Sequence, residues 1–527
     1  MGIVRSFFKR EASGLGAGVF RFSLLGALLL VLVGTGVNRA GGTLKYPFED
    51  LYPPYSAKEI QEVLKRPLTL EDCIRIALSE NVSLQIVEGD LYAAESDVSG
   101  SYGTFLPVLS LNASRTQSEE NHPLDPTSPQ DPTRLTFDNN ALVAQFQQTL
   151  YSGTKLDFSF DLRRDVNSPS TFGDPKSKLE TRNFSVTVTQ PLLKGGWFTV
   201  TRSPITLSRY SHEAQKYRYT DTQLKTITDT KIAFYNVLLQ REIIKSNLAA
   251  IKRDSTLIAL SEAKVQASMA TKRDVLSAQI QLAEDQASLI AAQADYQKAL
   301  DDLKEIMGVP IDYPIEIDTV ALSYSESPLD PKPLIEKALA RNPNLHFFER
   351  NIAMKDLEYR VAQNERLPQL DLAFQYTGGS DNNLTQNSEV TSNDLVVSLN
   401  LSYPLFNKSA VAKAQKLRIA KTQEMLKLED FRRQIVLQIR DIVRSIHTNV
   451  EEIKVLKQTI EAAKEKVQFA TVMFNLGRAS NFDITDAQQA LLKAEIQLAG
   501  KLVNYHSQLA ILESLVGEPI SMVENEQ

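Results

Sequence analysis

The chain has 527 residues, 43% of them hydrophobic, a formal net charge of −6 and a pI near 5.7. There is no basic excess of the kind a nucleic-acid surface needs, so nucleic acid is not an expected partner. A single cysteine, Cys73, rules out an internal disulfide.

The N-terminus carries Arg5, Lys9, Arg10 and Arg21, then the apolar run Leu24 to Val33, then Gly34 and Gly36. This order predicts a secretory signal over residues 1–40, because the apolar run is too short for a membrane span; a retained anchor is the alternative. An extension, 41–67, follows. No later stretch approaches the roughly 18 apolar residues of a transmembrane helix, so entry into a membrane would have to use strands. Cys73 lies well past the signal and reads as a small buried residue beside Ile74, Ala77 and Leu78.

From residue 68 onward the chain is written twice. Leu106-Pro107 with Leu109 and Leu111 returns as Leu367-Pro368 with Leu370 and Leu372, and Ala77-Leu78 and Asn81 return as Ala338-Leu339 and Asn342, each pair offset by 261. Asp274, Ala278-Gln279, Leu282, Tyr296, Gly308 and Pro310 recur as Asp483, Ala487-Gln488, Leu491, Tyr505, Gly517 and Pro519, now offset by 209. The first copy is therefore longer by 52 residues (261 − 209). Constant register at both ends predicts two tandem structural copies, 68–310 and 331–520, with an insertion in the first, a linker over 311–330 and a tail over 521–527.

Strands are predicted at about 108–190 in the first copy and 369–403 in the second. Leu109, Leu111 and Ala113 oppose Ser110, Asn112 and Ser114, and Phe184, Val186 and Val188 oppose Ser185, Thr187 and Thr189. Leu370, Leu372, Phe374 and Tyr376 alternate with polar residues in the same way, as do Leu395, Val397, Leu399, Leu401 and Tyr403. Two more candidates, Leu142 to Leu150 and Leu156 to Leu162, flank the turn Tyr151-Ser152-Gly153-Thr154 and supply the extra length. Alternation of this kind fits a soluble sheet or a barrel with lipid outside and water inside. Long polar loops expected at 117–138, 164–182 and 378–393, against one short turn at the other end, favour the barrel. So do Asp157, Asp161, Asp371 and Asp394 on the polar faces. Four to six strands are too few to close a barrel, so several chains must share it.

Proline is absent from 205–309 and from 405–518, which predicts long helices there. Ile435, Ile439, Ile442, Ile446, Asn449, Ile453, Leu456, Ile460, Ala463, Val467, Ala470 and Phe474 form a heptad seam. A continuous helix from Pro404 to Phe474 would reach about 105 Å. A second helix carries Leu491, Ala494, Leu498, Tyr505, Leu509, Leu512 and Val516, and the two should meet near Gly477 to Asn481. Pro107, Pro191, Pro368 and Pro404 each stand at a strand–helix passage, where a fixed φ and a missing donor suit a change of hydrogen-bond pattern. Trp197, Phe198, Tyr151, Tyr376 and Tyr403 lie near expected strand ends, as an interfacial belt or as ordinary packing.

These features resemble the TolC-type outer-membrane efflux family over about residues 68–520. The likeness rests on Leu68-Thr69-Leu70-Glu71 through Ala77-Leu78, the two Leu-Pro-x-Leu motifs, Gln190-Pro191-Leu192, Tyr403-Pro404-Leu405, Phe474-x-x-Gly477 and Asp483-x-x-Asp486-Ala487. The resemblance implies a mixed α and β membrane protein of a Gram-negative-type cell. In it a trimeric shared β-barrel in the outer-membrane lipid continues into a long periplasmic α-helical coiled-coil barrel. It further implies a homotrimer docked on a periplasmic adaptor (membrane fusion) protein and an inner-membrane transporter, with the helical hairpin tips closing the tunnel. Asp483 and Asp486 match the family's ring of aspartates. Phe474 stands where a gate tyrosine is expected and Ala479 where an arginine is, with Arg478 one position earlier. The first-copy tip, Met269 to Asp274, lacks the equivalent of Gly477. Four strands per chain and twelve per barrel is the family norm and the default expectation, with the place of the extra hairpin open.

Asp483 and Asp486 read either as a cation-favouring ring on the axis or as acids that suit the start of a helix. No catalytic constellation, cofactor site or metal-ligand spacing is present: His122, His212, His346, His447 and His506 are scattered, the last two reading as helix-surface residues. The expected function is a passive exit duct for small molecules in a tripartite efflux pump, with energy supplied by a partner. The alternatives are the outer-membrane duct of a type I protein secretion system and, from another class, a periplasmic coiled-coil spacer without a pore.

Overall fold

The computed structural model describes residues 51–121, 134–167, 176–267, 271–318, 322–326 and 329–519. The expected signal, Met269, His122 and the tail lie outside the described residues. The described residues all fall within one unit.

The motif at residues 68–71 is a helix entrance. Thr69 and Asp72 form a capping box at the start of α2 (Leu70–Glu80), the Thr69 hydroxyl accepting from the Asp72 N–H at 3.2 Å and donating to the Asp72 carboxylate at 2.8 Å. Tyr55 at 2.8 Å and Arg66 at 3.0 Å complete the shell of this buried acid. Burial would raise its pKa, but these partners outweigh it and hold the carboxyl below its usual range. Before it lies α1 (Ala57–Val63), and after it α3 (Val82–Ser101). Asn81 caps α3 through the Leu84 N–H and reaches across to the Ile306 carbonyl at 2.7 Å.

Four strands follow, β1 (Val108–Asn121), β2 (Arg134–Thr149), β3 (Lys155–Asn167) and β4 (Ser177–Pro191), then the short α4 (Phe198–Thr201) and the long hairpin α5 (Ser203–Gln266) and α6 (Lys272–Met307). The second half runs α7 (Pro331–Arg341), α8 (Pro343–Asn364), β5 (Gln369–Asn383), β6 (Ser388–Ser402), α9 (Lys408–Asn475) and α10 (Asn481–Val516). Asn342 caps α8 and donates to the Leu515 carbonyl at 3.3 Å, the same work that Asn81 does in the first half. Gly308 and Gly517 end α6 and α10 in the left-handed region, at φ +71° and +75°. At Gly308 a Cβ would meet the Glu80 carbonyl oxygen at 2.2 Å, so no side chain fits there.

The heptad seam is the core of the second half. Ile435, Ile439, Ile446 and Ile453 pack with Tyr505, Leu512 and Val516 of α10, Ile460 and Ala463 with Leu491 and Ala494, and Ala470 and Phe474 with Ile484 and Ala487; Asn449 is buried too. Asn449, its one polar member, accepts from the Asn504 amide at 3.3 Å. A matching core around Phe234, Leu303 and Met307 joins α5, α6 and α2 and encloses Cys73, whose thiol is pushed up by burial. Side by side, α3 packs on α5, α8 packs on both α5 and α9, and lower down α10 packs on α5. Among the described residues no helix is long and apolar enough to cross a membrane.

All six strands make one antiparallel sheet in the order β1-β2-β3-β4-β5-β6. The extra hairpin, β2 and β3, is thus inside the sheet, and the default of four strands per chain undercounts it by two. The expected loops also shorten. Strand pairing continues to Asn121↔Arg134, Asn167↔Ser177 and Asn383↔Ser388, leaving only residues 384–387 of the expected 378–393 loop. Polar residues dominate these distal segments, so regular hydrophobic alternation fades there while the backbone ladder goes on. Cross-strand contacts such as Thr181 to Asp381 at 2.7 Å and Arg115 to Asp138 at 2.8 Å hold them.

Two smaller expectations change. His506 is not a surface residue: it stacks on Tyr235 at 4.7 Å, and burial lowers its pKa. Tyr376 lies within β5 rather than at its end.

Candidate functional site

Strand register sorts every side chain of the sheet to one of two faces. Leu109 pairs with Phe146, Phe146 with Phe158, Phe158 with Val186, Val186 with Tyr376 and Tyr376 with Leu395, one apolar row across all six strands. The next row is Leu111, Ala144, Phe160, Phe184, Gly378 and Asn393. Gly378 leaves room for the Phe184 ring, which a Cβ would meet at 2.5 Å. The opposite face carries Ser110, Gln145, Ser159, Ser185, Thr377 and Asp394 in register. Asp157, Asp161 and Asp371 share that polar face, as the sequence predicts.

Among the described residues no strand side chain joins any of the hydrophobic core clusters. The apolar face lies bare instead: Phe160 is 46% exposed in the middle of the sheet and Leu395 72% exposed at its edge. A continuous apolar band with a wet reverse side is unstable in water and suited to lipid.

The sheet meets the helices where the prolines were predicted. Pro107 precedes β1, Pro191 ends β4, Pro368 precedes β5 and Pro404 follows β6. The turn between β2 and β3 docks at the same end. Gly153, at φ +86°, packs so closely on Gly195 that a Cβ would meet its carbonyl at 2.6 Å, and Tyr151 lies between the Phe105 ring (4.7 Å) and the Arg202 guanidinium (4.6 Å). Trp197, Phe198 and Tyr403 are exposed beside this junction.

At the far end of the helices, α9 stops at Asn475 and α10 starts at Asn481. Gly477, at φ +73°, lets Arg478 N–H reach back to the Met473 carbonyl at 2.8 Å. Arg478 itself is exposed and forms no ion pair among the described residues. Asp483 closes a capping box, accepting from the Ser480 N–H (2.7 Å) and hydroxyl (2.8 Å), and these bonds hold its carboxyl below the usual range. Asp274 does the same with Thr271 at the start of α6. Asp486 is exposed and paired with Lys466 at 2.6 Å. The two aspartates are thus spoken for within the chain, one as a cap and one in a surface ion pair.

Phe474 is buried among Leu257, Ala278, Ala470, Ile484 and Ala487. The Lys264 ammonium sits 3.6 Å from its ring centroid and also donates to its backbone carbonyl. Asn481, buried at the start of α10, exchanges hydrogen bonds with Ser261 (2.8 Å and 3.0 Å) and donates to the Asp274 carbonyl at 2.8 Å. Sequence reasoning missed Lys264, Ser261 and Asn481, which tie the two hairpins together across more than 200 positions of chain. Buried polar residues in otherwise amphipathic helices were the available signal.

Higher up, Asp254 is buried against Asp285, which also accepts from Gln281 at 2.9 Å. Burial and the Asp285 carboxylate push the Asp254 pKa up to about 7. Among the described residues no group of three or more His, Cys, Asp or Glu is arranged to hold a metal ion.

A model of a family described as outer membrane efflux protein matches residues 155–309 and 334–518. The alkaline protease secretion protein AprF of Pseudomonas aeruginosa is 24% identical over 365 residues, 67% of this chain and 73% of that one. The outer membrane protein TolC of Vibrio cholerae is 24% identical over 57% of this chain and 69% of its own. The pyoverdine export outer membrane protein OpmQ of Pseudomonas putida is 22% identical over 56% and 62%. Among solved structures, the outer-membrane channel OprN superposes with a TM-score of 0.64 at 17% identity, over 85% of this chain and 89% of that one.

Proposed function

The chain belongs to the outer membrane efflux protein family, and on that premise we propose that it is the passive outer-membrane exit duct of a tripartite pump for small molecules. Its place is the outer membrane, with the helices in the periplasm. Three copies join their sheets into one barrel and their helices into one tunnel, each chain contributing two tandem structural repeats. The tunnel docks on a periplasmic adaptor protein, which links it to an inner-membrane transporter that supplies the energy.

The observation that carries this reading is the apolar band running unbroken from Leu109 to Leu395 with none of the described core clusters packed upon it. Lipid satisfies that face, and the serine, threonine, glutamine and aspartate face then borders water. The helices beneath are joined end to end with the sheet, so a lumen lined by the polar face opens into the space they enclose. Gly477, Arg478 and Phe474 form the closed end of that space, with Asp483 and Asp486 just inside. The Lys264–Phe474 contact and the Asn481 hydrogen bonds hold each chain's two tips together, in place of a phenolic hydrogen bond.

A second reading, a duct for secreted polypeptides, is favoured by the match to AprF, a protein named for alkaline protease secretion. Both readings require a conducting pore, and the coiled-coil spacer does not. Liposome swelling on the purified full-length protein and on its Lys264→Met variant, which loosens the closed tip, tests the duct: uptake of small sugars by either supports it, and vesicles that stay impermeable with both, despite bound protein, overturn it. Export of a small dye in cells carrying the protein's own pump partners, against release of a polypeptide, separates the two cargoes.

A further inference from the structure

The six-stranded sheet has two unpaired edges, the outer sides of β1 and β6. Both strands are long, 14 and 15 residues, and their apolar residues are the barest of the sheet, with Leu111 at 70% and Leu401 at 69% exposure. In lipid such an edge cannot remain, because its unpaired N–H and C=O groups find no water to bond with. Six is an even number in an up-and-down order, so β1 and β6 run in opposite directions. The β1 edge of one copy therefore meets the β6 edge of another as an ordinary antiparallel pair.

The helices beneath set how wide the sheet must be. Four helix ends reach it: α3 feeds β1, α5 leaves β4, α8 feeds β5 and α9 leaves β6, and they pack in the order α3, α5, α8, α9. Four packed helices at ~8–10 Å between axes span ~32–40 Å of arc. Six strands at ~4.8 Å spacing and ~40° tilt span ~38 Å, while four would span only ~25 Å. The extra hairpin thus gives the sheet the width of the helix layer below it, with no taper and no abnormal tilt. Its turn is fixed to that layer by the Gly153–Gly195 approach and by Tyr151 between Phe105 and Arg202.

We propose that three copies of this chain close an eighteen-stranded barrel, six strands from each, with β1 of one copy paired to β6 of the next and β2 and β3 in the barrel wall. The inference rests on the trimeric duct proposed above and assigns both sheet edges to a second copy of this chain. The barrel is then as wide as the helical tunnel, and selection by size falls to the hairpin tips.

Electron cryomicroscopy of the full-length protein in lipid nanodiscs counts the strands at the bilayer midplane. Eighteen are expected. Twelve, with β2 and β3 outside the ring, overturn the proposal. Disulfide mapping in native membranes, in a C73A background, gives a chemical counterpart. Ser159→Cys with Ser185→Cys, whose hydroxyls lie 2.8 Å apart, cross-links if β3 is in the wall. Ser110→Cys with Ser185→Cys cross-links only if β1 abuts β4 directly, which contradicts it. Single-channel conductance of the same preparation keeps the two ideas apart: a conducting trimer with twelve strands sinks the strand count and leaves the duct, whereas a non-conducting one sinks both.

Discussion

Lys264 occupies the position where one side chain influences the whole tip. Its ammonium is partly desolvated, which lowers its pKa, and it touches both the ring and the carbonyl of Phe474. Lys264→Met keeps the aliphatic stem and removes both polar contacts, so the two hairpins of a chain should part more readily. The expected outcome is a larger or longer-lived open conductance at unchanged trimer content; an unaltered closed state would show that the contact does not latch the tip. Asp483 and Asp486 make separable contributions. Asp483→Ala should lower the melting temperature through loss of the Ser480 cap, whereas Asp486→Asn should leave stability intact and weaken cation preference if the carboxylates reach the axis. The seam and the prolines were legible at this scale because they depend on local spacing. Lys264 and Asn481 were not, because their partners are more than 200 residues away in sequence.

A buried acid beside another acid also gives the helices a pH response. Asp254 holds its proton up to about 7 in the folded state, against the ordinary carboxylate range when unfolded. Between those values the folded chain binds more protons than the unfolded one, so stability falls as pH rises toward about 7 and levels off above it. Asp254→Asn should flatten that slope in melting temperatures measured from pH 4 to 8. An unchanged slope would place the proton elsewhere.

At the scale of elements, the α9 seam and the sheet behave as different materials. Ile439 is fully buried in a close-packed core, and Ile439→Ala should cost about 2–5 kcal/mol, read from denaturant unfolding of the helical portion. Phe160 and Ser159 are neighbours in β3 that face opposite ways. Phe160→Lys places a charge in lipid and should cost about 2–4 kcal/mol of membrane stability, while Ser159→Lys faces water and should fold normally. Equal tolerance of both lysines in a membrane-insertion assay would mean that the faces have been misassigned. The alternation at 109–113, 184–188, 370–376 and 395–403 made these strands readable from sequence. Their distal halves were not, since residues such as Asn382, Asn383, Ser388 and Glu389 are polar on either face and leave only backbone pairing to mark the strand. The hairpin of β2 and β3 was visible as two strands and a turn, but its neighbours were not, because strand order is set by contacts that no local period records.

For the whole molecule, an amphipathic sheet without a core, continuous with long helices that do have one, is stable only if lipid covers the apolar face and other copies cover the edges. On the proposed reading the fold requires a membrane and an oligomer at once. Planar bilayer recording of the purified full-length protein tests this most directly. Discrete, voltage-tolerant conductance steps are predicted from a trimer that survives detergent extraction and dissociates only on heating. A monomer that stays soluble without detergent and never raises bilayer conductance would contradict it.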